Sequence, residues 1–284
     1  MGRSAAREVA VPVAGLVLGI LIVVTYPTRS ADLWIVWGPI AVGLTTVSGL
    51  VFSYGLRRWA DLVAIQPMRS RTVILPVLIG AAGALIVTNV TWLFGGDVHA
   101  NWRNAVLTSF ATIASVPLAT VINGIRHAAG PEVEPKPCTK GQHLARILSL
   151  RDLLQRSLAA GGAILSLVTL QYGALWSLER SVHSTFGDRP PQFILIFGGV
   201  GSILLSLAYV PGWKSLQQYR ARLDDLLFPM SSLDDATEVL NAAANRQRLQ
   251  ELLGLNNNVV VDMQSGVAIL APLLAGVAAA FLPH

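Results

Sequence analysis

The chain has 284 residues, of which 53% are hydrophobic and only 13% are charged, and its formal net charge is +5. A soluble domain usually carries about a quarter of its residues as charged side chains, so this composition excludes an ordinary soluble globular protein. The mean hydropathy of +0.56 and charge-free runs of about twenty residues place the chain in the membrane class. In that class a small positive charge is not a sign of nucleic-acid binding, and no nucleic-acid partner is expected.

Two further counts bear on the compartment and the source. The single cysteine, Cys138, excludes an internal disulfide framework. Arginine outnumbers lysine by 18 to three, and the chain is rich in Ala, Leu, Gly and Val. This bias is typical of a GC-rich bacterial genome, so we interpret the chain as a bacterial protein.

Seven apolar runs follow one another along the chain. Each has about the twenty residues that a helix needs to cross the hydrocarbon core, and in lipid only a helix satisfies the backbone of a single segment. Prolines inside the runs indicate kinks rather than breaks. The sequence therefore predicts an all-α integral membrane protein with seven transmembrane helices and short cytoplasmic amphipathic helices. The predicted spans are residues 9–26, 33–54, 73–94, 104–123, 157–178, 192–212 and 259–282.

The basic residues predict the orientation of these spans. Seventeen of the 21 basic residues lie in the N-terminal segment and in the second, fourth and sixth connections, and four lie in the opposite loops. Cytoplasmic loops carry the excess of Lys and Arg. We therefore expect a bacterial cytoplasmic membrane protein with a cytoplasmic N-terminus and with His284 outside.

Three regions are predicted from these patterns. Residues 1–210 form six spans in three hairpins, residues 211–258 form a cytoplasmic helical insert, and residues 259–284 form the seventh span. Within the cytoplasmic connections, residues 59–65 are a short amphipathic piece. Residues 142–156 are a basic amphipathic helix that either lies on the inner leaflet or continues into span five.

The insert carries the predicted docking surface. Its first helix ends at Pro229, and it places Leu216, Tyr219, Leu223 and Leu227 on one face. Such a face packs within the chain, rests on the inner leaflet or binds a cytoplasmic protein. Our leading hypothesis is that it docks a protein partner.

A short acidic motif follows the turn in the insert. Asp234, Asp235 and Glu238 stand in the order Asp-Asp-Ala-Thr-Glu, which resembles the Asp-rich box of membrane prenyltransferases. That resemblance implies Mg²⁺ and a lipid diphosphate bound to the acidic side chains. The alternative is that these acids occupy the first turn of a helix, where the helix macrodipole favours negative charge.

One formally charged residue, Asp262, lies inside a predicted span. Acids within a membrane often mark proton or substrate sites. Asp262 is only four residues beyond Asn258, near the predicted inner interface, so an interfacial or helix-capping role is the alternative. The histidines show no metal-binding spacing, and we predict no cofactor, no metal and no catalytic residue.

These features favour a non-enzymatic accessory or signalling component that docks a partner. The first alternative is an oligomeric channel, permease subunit or membrane-permeabilising effector, and the second is a Mg²⁺-dependent membrane prenyl or lipid-diphosphate transferase. A polar stripe converging from several spans would favour the first alternative. The expected partners are the lipid bilayer, a cytoplasmic protein and, in a homo-oligomer, a second copy of the chain.

Overall fold

A computed structural model describes residues 2–26, 32–65, 70–94, 98–130, 140–182, 192–227, 236–252 and 259–281. These residues form eight helices. They are α1 (Gly2–Val24), α2 (Asp32–Ile65), α3 (Ser70–Phe94), α4 (Val98–Ala128), α5 (Lys140–Val182), α6 (Gln192–Leu227), α7 (Ala236–Leu252) and α8 (Val259–Ala280).

Four helices, α2, α4, α5 and α6, contain a segment that is long and apolar enough to cross a membrane. Shorter apolar stretches of 10–17 residues lie in α1, α3 and α8. The all-helical class predicted from the sequence is therefore confirmed, and the composition is compatible with membrane insertion. The count of seven spans is not confirmed, because only four segments of the described residues are long and apolar enough to be counted as spans.

Several helices run well past the ends of their predicted spans. The stretch predicted as an amphipathic piece at residues 59–65 is the end of α2, and α5 is one helix of 43 residues from Lys140 to Val182. Residues 142–156 therefore continue directly into the apolar part of α5. This is the second of the two possibilities predicted from the sequence. Helix α6 likewise passes residue 210 without a break and reaches Leu227.

Contacts at glycines show the relative directions of several helices. Gly15 of α1 lies against Thr45 of α2, and Gly49 of α2 lies against Pro12, so these two helices are antiparallel. Small residues let such helices approach closely. Helix α8 runs parallel to α5, because Gly162 and Gly173 of α5 lie against Ala268 and Ala279 of α8.

The core contains two large apolar clusters, one toward each end of the bundle, and a small one formed by Trp176, Ile194 and Ala279. The first joins the end of α2 and α4 to the beginning of α5 and the end of α6, through residues such as Leu62, Ile125, Ile147 and Tyr219. We call this the basic end, because basic side chains of those helix segments are found there: Arg57, Arg58, Arg126, Arg146, Arg220 and Arg222.

The second cluster lies at the opposite end. It contains Tyr26, which follows α1, and Trp37 near the start of α2. It also contains Leu107 near the start of α4 and Leu178 near the end of α5. Helix α1 therefore begins at the basic end. Because α8 is parallel to α5, it ends at the opposite end.

Candidate functional site

The apolar face predicted for docking lies in the core of the basic end. Leu216, Tyr219 and Leu223 of α6 have exposed fractions of only 5%, 9% and 5%. They pack in one cluster with residues of α5 such as Ile147 and Leu154. Covering a large apolar side chain from water contributes about 1.5–3 kcal/mol, so this face stabilises the contact of α6 with the rest of the bundle. A partner could reach these three side chains only after the helices separate.

Tyr219 is also the centre of a polar contact between α5 and α6. Its hydroxyl lies 3.0 Å from Nδ1 of His143, and the guanidinium carbon of Arg146 lies 5.8 Å from the centre of its ring. Arg146 also donates from Nη2 to the carbonyl oxygen of Ala128 at 3.3 Å. These contacts connect the beginning of α5 to both α4 and α6.

One turn further along α6, the Asp224 carboxylate lies 4.0 Å from Nε of Arg220. Both side chains are largely buried, and a carboxylate in such surroundings needs a charged or hydrogen-bonding partner. The neighbouring Asp225 is exposed. The described part of the chain contains no group of three or more His, Cys, Asp or Glu residues that could hold a metal ion.

A cleft of about 520 Å³ lies between α4, α5 and α6. Its walls on α5 and α6 are almost wholly apolar, and Tyr172 and Phe197 stack on each other beside it with ring centroids 5.5 Å apart. The wall on α4 carries a polar stripe, formed by Asn104, Thr108, Thr112 and Ser115.

The hydroxyls of the polar stripe bond to their own helix. Thr108 donates to the carbonyl oxygen of Asn104 at 2.7 Å, Thr112 to that of Thr108 at 2.8 Å, and Ser115 to that of Thr112 at 2.7 Å. The stripe therefore offers the cleft mainly acceptor atoms. Oδ1 of Asn104 is buried without a donor among the residues that the structure describes.

A second polar side chain is buried on the neighbouring face of α5. Gln171 is completely buried, and neither atom of its amide has a hydrogen-bond partner within the described ranges. A buried polar group without a partner costs free energy, so such a group in a native fold calls for an explanation. Gln171 does not line the cleft.

The acidic residues singled out from the sequence lie elsewhere. Asp234 and Asp235 are outside the described residues, so the acidic box stays a prediction. Glu238 belongs to α7, and Asp262 is the fourth residue of α8. Leu227, the fourth residue of the predicted docking face, is the last residue of α6.

Sequence reasoning missed the polar stripe, although its signal is present. Asn104, Thr108, Thr112 and Ser115 recur at intervals of four, four and three residues, which places them on one face of a helix. Thr and Ser are common in apolar helices because they bond to their own backbone, so the pattern alone does not predict a cleft.

Comparisons of the chain with protein-family models, with curated proteins and with solved structures find no match. No family can therefore be assigned, and the fold indicates only a broad class of protein. The chain is an all-helical protein with four long apolar helices, compatible with a membrane protein.

Proposed function

We propose that the protein is a non-enzymatic accessory or signalling component of a bacterial cytoplasmic membrane, with a cytoplasmic helical surface that docks a protein partner. One observation carries this proposal. Helices α5 and α6 run without a break from their apolar segments into the basic end, where Leu216, Tyr219 and Leu223 hold them together. A displacement at one end of these helices would therefore reach the other through continuous helix.

The proposed topology has seven spans, with the N-terminus in the cytoplasm and His284 outside. It is supported by the basic residues at one end of the bundle, which the positive-inside rule assigns to the cytoplasm. The opposite placements of the start of α1 and the end of α8 also support an odd number of crossings. Reporter fusions at Gly2 and His284 test it, and a cytoplasmic signal at His284 would contradict it.

On α6, the face opposite Leu216, Tyr219 and Leu223 is the one available to a partner. Gln218, Ala221 and Arg222 are exposed there, and α7 also exposes much of its surface, including Leu240. We place the protein partner on this exposed α6 face, rather than on the buried side chains that the amphipathic pattern singled out.

The test adds bulk to this surface without removing an internal contact. The tagged full-length chain, purified from its own membranes, is compared with Ala221→Trp and with Ala145→Trp, a matched control at an exposed alanine of α5. Quantitative mass spectrometry should find proteins that Ala221→Trp loses and Ala145→Trp keeps. Equal recovery in all three samples, or no protein above background, would contradict docking on this face.

A second candidate function, an oligomeric channel, permease subunit or membrane-permeabilising effector, has one observation in its favour. Gln171 is a fully buried amide without a partner among the described residues, and buried polar groups in membrane helices often belong to solute pathways. If so, the protein in liposomes should conduct a small solute, and Gln171→Leu should abolish that flux. Liposomes that stay tight with the unaltered chain would exclude this candidate.

A further inference from the structure

We draw no further inference here: the strongest candidate, the cleft of about 520 Å³ between α4, α5 and α6, carries nothing, because nothing among the residues that the structure describes shows what occupies it.

Discussion

The hydroxyl of Tyr219 on α6 lies 3.0 Å from Nδ1 of His143 on α5. The two residues are 76 positions apart in the chain, and both belong to helix segments beyond the predicted membrane spans. The same tyrosine ring is buried in the apolar cluster of the basic end and has the Arg146 guanidinium 5.8 Å from its centre. This contact joins the start of one long helix to the extension of the next, so it should determine how rigid the basic end is.

The first prediction concerns that hydrogen bond. Tyr219→Phe keeps the buried ring and removes the hydroxyl, so it should lower the free energy of unfolding by about 1 kcal/mol. Thermal unfolding of the purified chain in detergent measures the change. His143→Ala is the second arm of a double-mutant cycle, and the two losses should not add, because each variant removes the same contact. Additive losses would mean that the two side chains stabilise the fold independently.

The second prediction tests the burial of the face that the amphipathic pattern marks for docking. Leu223→Asp places a carboxyl among apolar side chains, so it should cost about 3 kcal/mol or more. Ala221→Asp introduces the same group two residues away at an exposed position and should stay within about 0.5 kcal/mol of the unaltered chain. The melting temperatures of both variants decide the matter. An unchanged melting temperature for Leu223→Asp would mean that the face is uncovered and free for a partner.

The sequence was sufficient to predict the helical class, because long apolar runs leave few alternatives in lipid. It was not sufficient to predict how far the helices extend. Pro211 and Gly212 suggest the end of a helix, yet α6 passes through both. Gly212 lies against Leu154 of α5, and the neighbouring Trp213 packs on the basic-end cluster. Packing between helices therefore overrides the local preference of these two residues.

The candidate sites, too, could be predicted only in part from the sequence. The spacing of Leu216, Tyr219 and Leu223 was enough to predict an apolar face, but not the surface that covers it, since that surface belongs to residues of α5 about seventy positions away. The spacing of the polar stripe on α4 is present in the sequence, but it was not predicted as a site. The cleft beside it depends on how α4, α5 and α6 separate, and no single segment encodes that separation.

The third prediction concerns Asp262. The hypothesis of an interfacial or helix-capping role and the hypothesis of a functional site predict different effects of its substitution. It is the fourth residue of α8, where the helix dipole favours an acid by about 0.3–1 kcal/mol. Asp262→Asn should therefore leave expression, membrane insertion and the melting temperature nearly unchanged. Once an activity or a partner is assayed, loss of that function in a normally folded Asp262→Asn protein would identify a functional acid instead.

The last prediction compares two glycines that the sequence treats alike, since both lie in glycine-rich stretches of predicted spans. A Cβ added at Gly162 of α5 would lie 2.5 Å from the carbonyl oxygen of Ala268 and 3.5 Å from its Cα, which are backbone atoms of α8. Among the residues that the structure describes, no atom outside the local backbone of α3 lies within 4 Å of a Cβ added at Gly80. Gly162→Ala should therefore force α5 and α8 apart and destabilise the fold by about 1–3 kcal/mol, as overpacking does.

Gly80→Ala is the matched control, because it makes the same change in open space. It should leave stability unchanged or raise it by up to about 1 kcal/mol, because alanine favours the helix over glycine. Unfolding of the two variants in the same detergent gives the comparison, and the expected changes have opposite signs or differ by more than about 1 kcal/mol. Equal melting temperatures for the two variants would mean that α8 does not lie against Gly162. The parallel placement of α8, and with it the support for an odd number of crossings, would then be lost.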